Sequence, residues 1–255
     1  MKTITAFIGS AQKKATYQAV QAFEKNLRQH EEIEFEYVFL SDYRLEFCRG
    51  CKVCLGKGEE FCPLKDDRDV LLAKLERSDG VIFATLNYAF QVSARIKNLL
   101  DRTSFIFHRP KFFGKTYTAI VVQGITGGNR IRKYLEGMGA HFGFHVTKGS
   151  CLSTLDPLTE RQQKRLALEM NKAAARFYKG LIRPTLPAPS FFRLMLFRLT
   201  RSGLKFVDLK NRDSFYYNEK GWFESDYYYK VSLGPIKKTM GHVFDFLGRQ
   251  IFKNA

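Results

Sequence analysis

The sequence has few histidines, tryptophans, prolines and cysteines, and few acidic residues relative to its basic ones. Its 255 residues include 5 His, 1 Trp, 7 Pro and 5 Cys, and 25 acidic residues stand against 42 Lys and Arg. No apolar run approaches the roughly 20 residues that span a bilayer, and the N-terminus lacks the pattern of a secretory leader. We therefore expect a cytoplasmic protein with reduced thiols, which excludes a disulfide scaffold.

Several motifs of common function classes are also absent. The chain has no GxGxxG dinucleotide fingerprint and no P-loop, and no recognised nucleic-acid motif accompanies its net charge of +17. No Ser/His/Asp arrangement or paired-carboxylate signal is present, since the histidines are scattered and Asp66 and Asp67 are better interpreted as the start of a helix. We expect no nucleic-acid partner, whereas an acidic protein or a phosphorylated cofactor would be attracted by the positive field.

Strand and helix patterns alternate through the first 180 residues. Helical spacing of apolar residues separates five short runs rich in β-branched and aromatic residues. This alternation predicts a doubly wound α/β fold with a five-stranded parallel sheet covered by helices on both faces. Ligands of such sheets bind at the carboxyl ends of the strands. The predicted strands are 3–8, 34–40, 80–84, 117–122 and a weaker one at 145–151.

The composition changes after residue 182. Residues 183–189 contain three prolines and are interpreted as a stiff linker, and residues 190–255 form a basic, aromatic extension with two amphipathic helical patterns. The predicted organisation is a ligand-binding domain at 1–182, a linker at 183–189 and an extension at 190–255. Cationic amphipathic helices also lie at membrane surfaces, but we favour for the extension a role in covering the core or in contacting a second subunit of a homo-oligomer.

The first predicted strand leads into the loop GSAQKKAT and then into a helix. Backbone N–H groups at a helix N-terminus and the hydroxyls of Ser10 and Thr16 are donors suited to a phosphate group. Because the P-loop and dinucleotide motifs are missing, the monophosphate of FMN fits this loop better than a nucleotide. An ordinary strand-to-helix turn is the alternative interpretation.

The third predicted strand leads into ATLNYAFQVSARIKNLLDR. This stretch resembles the pattern S-P-x-Y-F-x-x-V-S-A-x-L-K-N-x-x-D-R of the NADPH-dependent FMN reductases and iron-sulfur flavoproteins, which share a flavodoxin-like fold. The first loop is similar to the family's G-S-P-R-K-x-x-x-T, although Ala11 and Gln12 replace the usual proline and arginine, and Leu86 stands where proline is usual. The matching residues of the longer stretch are Tyr88, Val92, Ser93, Ala94, Lys97, Asn98, Asp101 and Arg102.

The resemblance covers about residues 1–180 and implies an FMN site built from three loops. Glycines of the loop after the fourth strand suit a close approach of the backbone to the flavin ring. The implied FMN-binding residues are Ser10, Gln12, Lys13, Thr16 and Tyr17 in the first loop, Thr85, Leu86, Asn87 and Tyr88 in the second, and Gly124, Thr126, Gly127 and Gly128 in the third.

Four of the five cysteines lie within residues 47–62, with the spacing C-x2-C-x2-C-x7-C followed by Pro63. Structural zinc usually takes two separated pairs, whereas three close cysteines and a distant one before proline are more typical of iron-sulfur ligation. The resemblance implies a [4Fe-4S] cluster, while reduced or redox-active thiols and zinc stay open as alternatives. Cys151 is interpreted as a small buried apolar residue. The implied cluster ligands are Cys48, Cys51, Cys54 and Cys62.

Two functions are consistent with these patterns. The first is an FMN-dependent oxidoreductase that takes electrons from NAD(P)H or a reduced carrier and passes them to a quinone, a flavin or another small-molecule acceptor. The second is an electron-transfer or redox-sensing protein, partnered with an acidic ferredoxin, that has no dedicated small-molecule substrate. The cysteine segment follows the second strand, so we expect it at the same sheet edge as the flavin loops.

Overall fold

The computed structural model of the chain describes residues 1–154, 158–207 and 210–253. Contacts between Cα atoms divide the chain into two compact units, one comprising residues 1–49 and 64–184 and the other residues 50–63 and 185–255. The first unit is a parallel sheet with the strand order β2-β1-β3-β4-β5, and β6 pairs with β4 beside β5. Its strands are β1 (Lys2–Ile8), β2 (Ile33–Phe39), β3 (Gly80–Leu86), β4 (Thr116–Gln123), β5 (His145–Val146) and β6 (Ser150–Ser153).

Helices cover both faces of this sheet, which confirms the predicted flavodoxin-like fold. One core cluster joins β1, β3 and β4 to the apolar stripes of the first and last helices of the unit, with Val20, Phe23, Met170 and Phe177 fully buried. The last helix begins with a capping box in which Thr159 and Gln162 satisfy each other's backbone N–H groups. The helices of this unit are α1 (Ala15–Leu27), α3 (Arg68–Arg77), α4 (Ala94–Arg102), α5 (Gly128–His141) and α6 (Glu160–Leu181).

The fifth strand position is split between β5 and β6. Both segments pair in parallel with β4, and the interruption lies at 147–149. A Cβ atom added to Gly149 would lie 2.2 Å from the carbonyl oxygen of Ala119, so only glycine allows the chain to pass β4 so closely. The predicted strand at 145–151 is therefore present as two shorter pieces.

The second unit holds the helical extension and a short cysteine-bearing helix. Phe197, Tyr217, Trp222, Tyr227 and Tyr228 pack edge to face or stack in an aromatic cluster. No helix in the described part of the chain is long and apolar enough to cross a membrane. The helices of the second unit are α2 (Val53–Gly56), α7 (Phe191–Val207), α8 (Arg212–Glu219) and α9 (Pro235–Lys253).

Candidate functional site

A cavity of about 620 Å³ lies where the loops after β1, β3 and β4 meet in the first unit. This volume is in the range of sites that hold a small molecule or cofactor. Seven of the thirteen residues predicted to bind FMN line it, and they come from all three loops: Ser10, Gln12, Thr16, Leu86, Asn87, Tyr88 and Gly124.

The N-terminus of α1 forms one wall of this cavity. Lys14 stands at the N-cap position of α1 without a side-chain capping bond, and the first turn of the helix holds no acidic residue. Thr16, in that first turn, is 2% exposed, and its Oγ1 has no hydrogen-bond partner among the described residues. A buried hydroxyl costs free energy when it is unpaired, so Thr16 Oγ1 fits a site that receives an acceptor in the cavity. The positive end of the helix dipole favours an anionic acceptor such as phosphate.

Asn87 presents a second unpaired polar atom in the second loop. Its Nδ2 donates to the carbonyl oxygen of Thr126 at 2.7 Å, and its backbone N–H donates to Val122 at 2.8 Å. The side chain is therefore held between two loops, yet its Oδ1 is buried without a partner among the described residues. An acceptor atom fixed in this way can bind an N–H group of a ligand. The cavity thus offers a phosphate-binding end and a separate acceptor for a polar ring edge, and these features fit FMN.

Six predicted residues do not line the cavity, and most of them brace its loops. Thr85 is fully buried, where its Oγ1 accepts from the backbone N–H of Ser93. Lys13 extends towards the rings of Phe39 and Tyr17, whose centroids lie 5.6 and 5.9 Å from its Nζ. Their roles as direct FMN contacts stay predictions. The remaining four are Tyr17, whose ring lies near Lys13, Thr126, which accepts from Asn87, Gly127, which caps α5, and Gly128, whose N–H donates to Gln123.

The structure also adds cavity residues that were not among the thirteen predicted to bind FMN. Lys14 lines the cavity where Lys13 was expected, because Lys13 lies against the two aromatic rings. Adjacent residues at the start of a helix point in different directions, and this rule could have indicated that only one of the two lysines faces the cavity. The other lining residues outside the predicted set are Gly9, Ala11, Ala15, Ser93, Ala94, Arg95, Val122, Gln123 and Thr154.

Exposed apolar side chains stand at the loops that form the cavity. Tyr88, Phe90 and Ile125 are 61%, 64% and 90% exposed. Ala89 and Phe90 both have left-handed backbone conformations, with φ of 47° and 60°. Non-glycine residues in this region cost of order 1–3 kcal/mol each and occur preferentially at functional sites. The turn is held by paired backbone hydrogen bonds between Tyr88 and Gln91.

The matching residues Asn98 and Arg102 on α4 have a role that the motif did not reveal. Asn98 Nδ2 donates to the carbonyl oxygens of Leu45 and Glu46, and Arg102 Nη1 donates to that of Glu46. Arg102 also makes a two-pronged ion pair with Asp66, at 2.5 and 2.9 Å, in which both side chains are almost fully buried. Arg102 therefore bridges the two chain segments that flank residues 47–63, one through Glu46 and the other through Asp66, and we call this set of contacts the clamp.

The base of the cysteine segment is closed by further bonds between these two flanks. Asp66 accepts from the backbone N–H of Glu46, and Asp67 accepts from that of Arg44. Asp67 is also the N-cap residue of α3, which confirms the interpretation of this pair as a helix start. Burial alone would raise the pKa of Asp66, but hydrogen bonds from Arg102 and from the backbone N–H groups of Glu46 and Arg68 bring the pKa below its usual value.

None of the five cysteines forms a disulfide. Cys48 and Cys51 are exposed, whereas Cys54, Cys62 and Cys151 are partly buried. Among the described residues, no group of three or more His, Cys, Asp or Glu side chains is arranged to hold a metal ion. The [4Fe-4S] ligand set therefore stays a prediction. Burial raises the pKa of the Cys151 thiol, which agrees with its interpretation as a packing residue.

A doubly wound parallel sheet with a cofactor-sized cavity at the carboxyl ends of β1, β3 and β4 defines a flavodoxin-like ligand-binding protein. Residues 2–154 match the family of NADPH-dependent FMN reductases, which is more than half of the chain. The chain belongs to this family, as the resemblance implied.

Curated relatives share parts of the sequence. An iron-sulfur flavoprotein of Archaeoglobus fulgidus is 40% identical over 94 residues, which cover 37% of this chain and 42% of the relative. An iron-sulfur flavoprotein of Methanosarcina thermophila is 28% identical over 129 residues, which cover 50% of this chain and 66% of the relative. The chain spans about half the length of the curated relatives it matches.

Solved structures with little sequence identity share the fold. RosB with the bound intermediate OHC-RP (8-demethyl-8-formylriboflavin-5'-phosphate) superposes with a TM-score of 0.56 and 12% identity, covering 92% of each chain. An NAD(P)H:quinone oxidoreductase from Methanothermobacter marburgensis superposes with a TM-score of 0.50 and 14% identity, covering 68% of this chain and 97% of that one. These likenesses support the fold assignment.

Proposed function

We propose that this protein is an FMN-dependent oxidoreductase that transfers electrons from NAD(P)H or a reduced carrier to a quinone, a flavin or another small acceptor. One observation carries the proposal: Thr16 Oγ1 and Asn87 Oδ1 are buried without partners among the described residues, on two of the loops that form one cavity. Membership of the FMN reductase family supports the same cofactor. When bound, FMN supplies both hydride and one-electron chemistry.

The residues of the chain would bind and orient this cofactor. The α1 N-terminus with Ser10, Thr16 and Lys14 would hold the phosphate by backbone and hydroxyl donors and by charge. Asn87 would fix the polar edge of the ring, and Tyr88 would limit access of water at the exposed side. Gly124 lines the cavity, and because it carries no side chain it would allow a close approach to the ring.

Thr16→Val tests the phosphate assignment. The substitution keeps the shape of the side chain but removes the donor, and a hydrogen bond to a charged group contributes about 1.5–3 kcal/mol. We expect the Kd for FMN to rise by about 10- to 100-fold. Equilibrium titration of the apoprotein, followed by the quenching of flavin fluorescence, measures this change.

Thr118→Val is the matched control, because Thr118 Oγ1 is also buried without a partner among the described residues but does not line the cavity. Each variant removes an unsatisfied hydroxyl, so neither should lower the stability of the apoprotein. An unchanged FMN affinity in Thr16→Val, or an equal loss in both variants, would contradict the phosphate assignment.

Anaerobic reduction of the FMN-loaded protein tests the reaction. We expect NADH or NADPH to bleach the flavin absorption and a quinone to restore it, with repeated turnover in the steady state. Reduction by the nucleotides without turnover on any small acceptor would favour a different role. Failure of both nucleotides and of a chemically reduced carrier to bleach the flavin would refute the oxidoreductase proposal.

A second candidate is an electron-transfer or redox-sensing iron-sulfur flavoprotein partnered with ferredoxin. The names of the curated relatives and the spacing of Cys48, Cys51, Cys54 and Cys62 favour it. One discriminating experiment measures reduction of the flavin by an acidic ferredoxin in the absence of nucleotide. The other measures the iron and sulfide content of anaerobically purified wild type and Cys48→Ser. Iron lost in Cys48→Ser would support the cluster, and an iron-free wild type would contradict it.

A further inference from the structure

The helix α9 has two apolar faces, and among the described residues only one of them is covered by other parts of the chain. Gly241, Phe244 and Gly248 are buried, and Asp245 accepts ion pairs from Arg198 and Arg201 of α7, so this side of α9 packs on α7. Along the other side runs a stripe at helical spacing that we call the α9 stripe. It consists of Ile236, Val243, Leu247 and Ile251, which are 71%, 41%, 44% and 56% exposed. Phe246 lies beside this stripe and is 55% exposed.

Cations accompany the α9 stripe, and negative charge is almost missing from both helices. The helix α7 contains four Lys or Arg and no acidic residue, and α9 contains four Lys or Arg with Asp245 as its one acidic residue. Both oxygens of Asp245 are engaged by arginines of α7. By helical spacing, Lys238, Arg249 and Lys253 follow the α7-facing side and border Phe246, and all three are exposed.

This charge distribution distinguishes between the occupants that an apolar face attracts. A second copy of the chain docked through the same face by a two-fold axis would bring two identical sets of cations together, and like charges in contact are unfavourable. A surface that is apolar beneath and anionic at its headgroups complements both the stripe and the cations bordering it. Because no described helix can span a bilayer, contact would be confined to the interface.

We propose that the α9 stripe and its bordering cations form a docking site for the surface of an anionic lipid membrane. The sequence alone favoured a role in the core or between subunits. The exposed second apolar face of α9 argues against a role in the core, and the cations that border it argue against contact with a second copy. The site acts peripherally: the apolar side chains enter the interface while Lys238, Arg249 and Lys253 contact lipid phosphates. This proposal is independent of the flavin chemistry.

Flotation of the full FMN-loaded chain with vesicles tests the proposal. We expect binding to vesicles of mixed phosphatidylglycerol and phosphatidylcholine, little binding to phosphatidylcholine alone, and loss of binding as salt increases. The double variant Leu247→Gln/Ile251→Gln should lower the partition coefficient by about tenfold or more, since it removes apolar area from the interface. The double variant Lys238→Gln/Lys253→Gln should lower it by about tenfold.

Matched controls separate a docking site from general basicity. Leu168 on α6 is 57% exposed, and Lys164 and Lys172 on the same helix are exposed, so Leu168→Gln and Lys164→Gln/Lys172→Gln change equivalent groups elsewhere. Retained FMN and an unchanged circular dichroism spectrum establish that each variant is folded. Equal losses in the α6 and α9 variants, equal binding to neutral vesicles, or no lipid binding with a shift from dimer to monomer in the α9 variants would overturn the proposal.

Discussion

Arg102→Met is expected to lower the free energy of unfolding by about 3–5 kcal/mol, because it leaves the carboxylate of Asp66 buried without its ionic partner. The side chains of Arg102 and Asp66 are 1% and 0% exposed, and they meet through two hydrogen bonds. The substitution also removes a donor to the carbonyl oxygen of Glu46. Urea denaturation followed by circular dichroism measures the loss.

The pH dependence of this loss identifies its cause. In the wild type the folded-state pKa of Asp66 lies below the usual value of 3.8, so the stability from this group is present above pH 3.8 and is lost as pH falls through the lower folded pKa. Without Arg102, the side-chain hydrogen bond and the charge that lower this pKa are lost, while burial and the backbone hydrogen bonds from Glu46 and Arg68 remain, so the folded pKa of Asp66 is higher than in the wild type. We therefore expect the cost of Arg102→Met to shrink as pH falls from 7 towards about 4.

Lys97→Met provides the matched comparison on the same helix. Lys97 pairs with Asp101, but these side chains are 51% and 44% exposed, and such pairs contribute about 1 kcal/mol or less. A cost for Arg102→Met no larger than that for Lys97→Met would contradict the clamp, as would a cost independent of pH. Recovery of most of the stability in Asp66→Leu/Arg102→Met would confirm that the unpaired charge causes the loss.

The clamp shows which part of the structure the sequence could not predict. Apolar periodicity predicted the strands and helices because each element is identified by neighbours within about ten residues of chain. The predicted strand at 80–84 was found as Gly80–Leu86, and the predicted strand at 117–122 as Thr116–Gln123. The contact between Asp66 and Arg102 joins residues 36 positions apart, and no local pattern identifies that partner.

The sequence predicted the loops of the candidate site but not the contacts of the side chains within them. The motifs identified the three loops, because a parallel fold brings the carboxyl ends of its strands to one edge. They did not separate residues that line the cavity from residues that hold its loops. Thr85 belongs to the second group because its hydroxyl is used by Ser93, whereas Thr16 in the first loop keeps an unpaired hydroxyl at the cavity. That distinction depends on side-chain contacts, which only the three-dimensional structure shows.

Gly124→Leu is expected to abolish or greatly weaken FMN binding while leaving the fold intact. Gly124 lines the cavity, and an added Cβ would meet no protein atom within 4 Å, so the new side chain occupies space that the cofactor would need rather than space held by the protein. Overfilling a packed site costs about 1–3 kcal/mol, which corresponds to a rise in Kd of about 5- to 150-fold.

Gly137→Leu on α5 is the matched control, because an added Cβ there also meets no atom within 4 Å and the residue does not line the cavity. Flavin titration measures the FMN affinity of both apoproteins, and thermal unfolding measures their stability. Unchanged FMN affinity in Gly124→Leu would place the ring elsewhere. A loss of stability in Gly124→Leu alone would assign the glycine a structural role.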